Sequence, residues 1–148
     1  MKGRWQSASE EETRALGRAL AAELAPDGVL LLSGDLGSGK TVLAQGIASG
    51  LGIDPAEVLS PTFNLIREHR GSRGRLVHVD LYRLDPDEVG ALGLDELLAG
   101  PGVKVVEWAE RLPFPVPGAK MLRLARATGE EGRREIVETT TSSISRET

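Results

Sequence analysis

The stretch from Val29 to Leu43 reads VLLLSGDLGSGKTVL, and it decides the fold. Val29 to Leu32 is continuously apolar and flanked by glycines, which predicts a short, fully buried strand. Gly34 to Thr41 then matches the pattern G-x-x-x-x-G-K-[ST] at every fixed position. Apolar residues at helical spacing follow and stop near Gly50. Strand, glycine-rich loop and helix in this order predict a phosphate-binding P-loop.

The residue types in this loop have chemical reasons. Glycines let backbone N–H groups curl around phosphate oxygens, and the helix that follows directs its positive end at the same charge. Lys40 would neutralise the outer phosphates of ATP, and Thr41 would place its hydroxyl on Mg2+. The other loop residues expected to bind the nucleotide are Leu36, Gly37, Ser38 and Gly39. The alternative, a glycine-rich turn with an incidental lysine, leaves the flanking strand and helix unexplained.

Size and composition exclude several classes of protein. The chain has 148 residues, the usual size of one domain, and a net charge of −4. That charge argues against a broad basic face, so we expect no DNA binding and any RNA contact only through a partner. Because cysteine is absent, disulfides, thiolate metal sites and thiol nucleophiles are excluded. No signal peptide or membrane-length apolar run is present, so we expect a cytoplasmic protein.

The rest of the chain predicts an α/β fold. Ser9 followed by Glu12 fits a capping box at the start of a helix that ends at the turn residues 26–28. The further predicted elements are a hairpin with its tip at 71–74, short helices that open at Asp85 and Leu94, a buried strand at 103–106, and a terminal hairpin of 121–125 with 136–139. We therefore expect one domain over 1–148, a P-loop NTPase-like mixed β-sheet flanked by helices, with a polar tail from about residue 139.

Two acidic residues follow apolar runs. Asp80 ends the run LVHVD, and Glu107 ends the run VKVVE. Strand ends that carry P-loop ligands lie along one rim of the sheet, so both acids could reach the phosphate site. For either acid alone, a solvated strand-end charge or a helix cap is the alternative.

Other residues near these motifs have two interpretations each. The segment Ser60 to Phe63 is either a stiff switch that senses the last phosphate or an ordinary loop opening into a strand. His78 is more typical of a packed, hydrogen-bonded histidine than of a metal ligand. Tyr82 and Arg83 could face a partner, the phosphates or only solvent. Trp108 lies either near the nucleotide or in the core.

Taken in order, four motifs closely resemble the bacterial TsaE (YjeE) family. They are GDLGSGKT at 34–41, SPTF at 60–63, HVDLYRL at 78–84 and VEW at 106–108. That family is the ATPase component of tRNA threonylcarbamoyladenosine biosynthesis. The resemblance implies a small P-loop ATPase that binds the TsaB and TsaD proteins and is needed for their turnover on the adenosine beside the anticodon. It also implies that the chain is not itself the transferase.

The resemblance also assigns roles to residues. It implies that Lys40 and Thr41 hold phosphate and magnesium, that Glu107 is a magnesium ligand and that Asp80 is required for activity. It implies that an acidic residue before the first helix and an arginine of the terminal hairpin contact the nucleotide. Those two fall on Glu10 and Arg133. The candidate catalytic residues are therefore Asp80, Glu107 and Lys40, the metal ligands Thr41 and Glu107, and the cofactors ATP and Mg2+.

Two other functions share the P-loop. A small-molecule kinase would need an acceptor pocket and an arginine-bearing lid, and neither can be assigned from the sequence. A nucleotide-dependent adaptor would bind ATP without hydrolysing it productively. A GTPase is disfavoured because an Asn-Lys-x-Asp guanine-binding motif is missing. The predicted site residues account for phosphate and metal binding, but none of them is an arginine finger. We therefore expect slow hydrolysis by the free protein and stimulation by its partners.

Overall fold

The computed structural model describes residues 3–35, 37–58, 65–126 and 133–139. Its helices are α1 (Glu10–Leu24), α2 (Lys40–Gly50), α3 (Pro86–Gly90) and α4 (Leu94–Ala99). Its strands are β1 (Arg4–Ser7), β2 (Val29–Gly34), β3 (Ile66–Arg70), β4 (Arg75–Asp80), β5 (Val103–Glu107), β6 (Lys120–Arg126) and β7 (Arg134–Thr139). None of the helices in these ranges has the length and apolarity needed to cross a membrane.

The strands form one mixed sheet in the order β1-β7-β6-β2-β5-β4-β3. The four central strands β6, β2, β5 and β4 are parallel, whereas β7, β1 and β3 are added in antiparallel pairings. This confirms the predicted mixed α/β sheet. The sequence does not predict β1, because its four residues RWQS carry no apolar alternation. Backbone pairing with β7 holds it at the edge of the sheet.

The side chains of the sheet point into two aliphatic cores. Leu30 and Leu32 lie on the face covered by α1 and α2, and Leu31 lies on the face covered by α3 and α4. Strand β2 is covered by an aliphatic core on both faces, which explains why it is a continuous apolar run rather than an alternating one. The pattern at 29–43 therefore predicts correctly that β2 leads into the P-loop and that α2 follows it.

Helix α1 begins as the sequence predicts, with one difference in its cap. Ser9 Oγ accepts from the backbone N–H of Glu12 at 3.2 Å. The Glu12 carboxylate reaches back to the N–H of Ala8, one residue beyond the expected Ser9. The acidic side chain still satisfies a free donor at the helix start.

Helices α1 and α2 cross in backbone contact at two glycines. A Cβ on Gly46 would lie 2.2 Å from the carbonyl oxygen of Arg14, and one on Gly17 would lie 2.5 Å from that of Leu43. Both separations are below any real Cβ contact. The close crossing fixes the angle at which α2 leaves the P-loop.

The remaining predicted elements are found with shifts of one or two residues at their ends. Strand β4 extends to Asp80, β5 extends to Glu107, and β7 begins two residues earlier than predicted. Four predicted features lie outside the described residues. They are Leu36, the segment Ser60 to Phe63, the turn at 129–132 and the tail at 140–148.

Candidate functional site

A cavity of about 220 Å³ opens at the carboxyl ends of the parallel strands, beside the start of α2. Its lining residues come from α1, the P-loop, α2, β5, β7 and the turn after β4. They are Glu10, Thr13, Gly37, Gly39, Lys40, Thr41, Val42, Asp80, Tyr82, Glu107, Trp108 and Arg134. This is the edge of an open α/β sheet at which ligands bind.

The P-loop has the backbone conformation that its glycines predict. Gly37 has φ +77° and Gly39 has φ +104°, values that L side chains rarely adopt. Gly39 is the N-cap of α2, and no side chain caps that helix. The free N–H groups at the start of α2 therefore point toward the cavity side of the loop, where an anion would satisfy them. Ser38 is buried beneath the loop and is not among the lining residues.

Lys40 is buried at the first position of α2. Its Nζ donates to the carbonyl oxygens of Gly34 at 2.6 Å and Asp35 at 2.8 Å, and to Ser38 Oγ at 3.3 Å. Burial lowers the pKa of Lys40, and surrounding carboxylates, Glu107 foremost, act in the opposite direction. The Lys40 ammonium thus donates to carbonyls of its own loop, and the same residue lines the cavity.

Glu107 is the centre of a buried polar cluster. The Oγ1 of Thr41 lies 3.1 Å from each of its carboxylate oxygens, and His78 Nε2 lies 2.5 Å from its Oε2. Glu107 is 2% exposed and His78 is fully buried. Glu107 is therefore not the solvated strand-end charge that the sequence left open. His78 is the packed, hydrogen-bonded histidine that the sequence favoured.

Asp80 lies beside Glu107 because β4 and β5 are parallel neighbours. The two residues are register partners at the last positions of their strands. Asp80 is 7% exposed, and its Oδ1 accepts from the backbone N–H of Tyr82 at 2.9 Å. The structure therefore brings both acids to one cavity, together with Lys40 and Thr41.

Trp108 stands at the cavity wall in a strained backbone conformation. Its φ of 59° is the single positive value outside glycine among the described residues. The ring lies 4.2 Å from the Lys40 ammonium, 4.8 Å from the ring of Tyr82 and 5.9 Å from the Arg111 guanidinium. Of the two positions that the sequence allowed for Trp108, the structure has the one beside the P-loop.

Two arginines of the terminal hairpin flank the P-loop, and neither is the one carried over from the family resemblance. Arg134 lines the cavity, whereas Arg133 is absent from its lining. Arg126, the register partner of Arg134, donates to the carbonyl of Gly37 at 3.3 Å. Residues alternate faces along a strand, so Arg134 shares the face of the buried Ile136. Extending the predicted strand by two residues would have identified it.

The N-terminal end of α1 supplies one predicted and one missed residue. Glu10 is exposed and lines the cavity, and the nucleotide contact that the resemblance implies for it stays a prediction. Thr13 lines it as well, is 1% exposed, and lies 2.7 Å from Ser7 through their hydroxyl oxygens. Thr13 lies three residues after Glu10 and so shares its helix face, and this spacing could have predicted that both residues line the cavity. Val42, which the sequence reasoning also missed, follows Thr41 directly.

Comparison with known proteins identifies the family to which this site belongs. The family described as "Threonylcarbamoyl adenosine biosynthesis protein TsaE" matches residues 7–136. The chain belongs to the TsaE family. The match includes the P-loop, both strand-end acids and Arg134, so the whole cavity lies within the TsaE region.

Individual TsaE proteins agree with this assignment. The chain is 41% identical over 130 residues to the tRNA threonylcarbamoyladenosine biosynthesis protein TsaE of Bacillus subtilis, covering 88% of this chain and 81% of that protein. It is 42% identical over 132 residues to the TsaE of a Nostoc species, covering 86% and 80%. The crystal structure of Bacillus subtilis YdiB superposes with a TM-score of 0.73 at 34% identity, covering 99% of this chain and 96% of that one.

Proposed function

We propose that this chain is a P-loop ATPase that binds Mg-ATP and supports, together with TsaB and TsaD, threonylcarbamoylation of the tRNA adenosine next to the anticodon. The observation that carries the proposal is the convergence of Lys40, Thr41, Asp80 and Glu107 on one cavity at the P-loop. Membership of the TsaE family supports the pathway. In this proposal the chain acts in the cytoplasm, contacts tRNA only through its partners and is not the transferase.

The phosphate part of the site follows from the loop and α2. The N–H groups at 37–41 would bind phosphate oxygens, and the Lys40 ammonium would offset the charge of the outer phosphates. Lys40 already contacts Gly34 and Asp35, so ATP binding exchanges these carbonyl contacts for phosphate contacts. Arg134 adds a second cation at the cavity.

The oxygen atoms of Thr41 and Glu107 fit a magnesium ion. They lie 3.1 Å apart at the cavity, and hydroxyl and carboxylate oxygens are the hard ligands that Mg2+ prefers. Within the described ranges no group of three or more acidic or histidine side chains forms a closed metal cage. Mg2+ commonly takes one or two protein ligands and completes its shell with water and phosphate oxygens. When bound, it would neutralise charge on the outer phosphates.

In this proposal Asp80 orients the attacking water. Its carboxylate lines the cavity, and its Oδ1 is held by the N–H of Tyr82. A carboxylate at that position would accept a hydrogen bond from a water molecule. This contact would direct the lone pair of the water oxygen at the terminal phosphate. Stimulation by TsaB and TsaD would then act on the alignment of this water and of the cations.

Phosphate release at saturating Mg-ATP tests the proposal, measured for the chain alone and with TsaB and TsaD. We expect slow release by the free protein, stimulation by the partners, and loss of stimulated release in Asp80→Asn. Asp87→Asn, in the exposed first turn of α3, is the matched control and should behave as wild type. Equal rates with and without partners would contradict the partner dependence. Transfer of label to a small acceptor would indicate a kinase, and binding without release would indicate an adaptor.

A further inference from the structure

The contact between His78 and Glu107 has no role in the site as described so far. His78 lies in the interior of β4 with no solvent exposure, two residues before Asp80 on the same face of the strand. Its Nε2 is 2.5 Å from Oε2 of Glu107. A core position on the α1–α2 side of the sheet would ordinarily take an aliphatic residue, as Leu76 and Val105 do.

The hydrogen-bond pattern assigns the direction of this contact. Glu107 as a carboxylate only accepts, so the His78 Nε2 carries the hydrogen and donates it. The other ring nitrogen, Nδ1, is buried and has no hydrogen-bond partner among the described residues. Leaving this buried polar atom without a partner costs free energy, so the contribution of His78 lies in the contact through Nε2.

We propose that His78 is a positioning residue that holds the Glu107 carboxylate in the orientation required for magnesium. A buried carboxylate on a flexible side chain needs donors to fix its rotamer. Thr41 Oγ1 is equidistant from both oxygens and cannot distinguish them. His78 contacts Oε2 alone, and it approaches from inside the sheet. It therefore sets the carboxylate plane and leaves Oε1 outside its own contact, so that Oε1 could join Thr41 Oγ1 in holding magnesium, as outer partners of metal ligands allow.

This inference rests on the proposed function, and its test separates the two. The affinity for ATP is measured by calorimetry with Mg2+ and again with EDTA, for wild type and variants. His78→Leu removes the donor and keeps an apolar core residue. We expect it to weaken Mg-ATP binding about 10- to 100-fold, with metal-free ATP binding within about twofold of wild type. Val79→Ala, on the opposite face of β4, is the control for general loss of packing and should weaken neither.

Two polar variants keep the test decisive if His78→Leu does not fold. Gln carries its amide nitrogen near the place of Nε2, whereas the shorter Asn carries it near Nδ1. His78→Gln should therefore retain the effect of Mg2+ on affinity, and His78→Asn should lose it. Equal behaviour of Gln and Asn, or equal losses with Mg2+ and with EDTA, would overturn the positioning role. Absence of any Mg2+ effect in wild type would overturn the proposed function as well.

Discussion

The hydroxyl of Thr41 lies 3.1 Å from each carboxylate oxygen of Glu107, and the two residues are 66 positions apart in the chain. Thr41 is on the first turn of α2, and Glu107 is the last residue of β5. Parallel pairing of β2 with β5 brings them together, because β2 leads directly into the P-loop. A threonine typical of phosphate loops and an acid after an apolar run thus form one hydrogen-bonded pair at the cavity.

Glu107→Gln should reduce the effect of Mg2+ on ATP affinity by about 10-fold or more, because it replaces a charged ligand by a neutral one of the same shape. Calorimetry with Mg2+ and with EDTA measures this, and thermal unfolding is the control. Gln is preferable to Ala because Glu107 is 2% exposed, so truncation would also open a cavity. An unchanged Mg2+ effect with a lower melting temperature would mean that Glu107 is structural.

Lys40→Ala should weaken ATP binding about 100-fold or more, since a charged hydrogen bond contributes up to about 3 kcal/mol. Titration calorimetry checks this result. The variant also removes the Lys40 donor from the carbonyls of Gly34 and Asp35, although Asp35 still accepts from the N–H of Ser38, so the folded fraction must be verified by circular dichroism. Near-normal affinity in a folded variant would refute the P-loop assignment.

Arg134→Ala should weaken ATP binding about 10-fold, as expected for one charge-assisted contact at the cavity. Arg133→Ala is the matched control, because Arg133 directly precedes β7 and is not among the residues that line the cavity. We expect it to remain within about twofold of wild type. A larger loss in Arg133→Ala than in Arg134→Ala would restore the assignment made from the sequence.

Gly46→Ala should destabilise the fold by about 1–3 kcal/mol, because its Cβ would clash with the backbone of Arg14. Helix propensity alone predicts the opposite sign, a gain of about 1 kcal/mol. Gly90→Ala is the control, since its Cβ would meet Pro113 at an ordinary 3.8 Å. Urea unfolding measures both variants. A stabilised Gly46→Ala would mean that the two helices separate at little cost.

Lys104→Met should make stability less dependent on pH in the alkaline range. Burial lowers the pKa of Lys104 from its usual 10.5, and Asp27 acts in the opposite direction. As the pH rises toward 10.5, the folded chain releases this proton before the unfolded chain does, so the unfolding free energy rises with pH in that window. Below the window both states hold the proton. Urea unfolding from neutral pH to the usual lysine pKa would show a shallower rise in the variant, whereas parallel profiles would exclude this role.

Much of the candidate site could be predicted from local sequence. Lys40 and Thr41 follow from the glycine pattern, and Asp80 and Glu107 follow from acids that end apolar runs. The contacts of His78 and Trp108 could not be predicted, because they depend on which strands are neighbours and on one left-handed residue. The family resemblance assigns the hairpin arginine to Arg133, and the cavity is lined by its neighbour Arg134, the first residue of β7, two residues before the predicted start of that strand.

The sequence by itself determined the glycine pattern of the P-loop, the α/β class and the candidate phosphate-binding residues. These depend on backbone conformation and apolar periodicity within about a dozen neighbouring residues, which local residue types control. Only the tertiary structure decided the order of the strands, the addition of β1, the crossing of α1 and α2 at Gly17 and Gly46, and the buried pair of His78 and Glu107. The physical reason is that each is a contact between distant segments, selected by close packing and by satisfaction of buried polar groups over the whole domain.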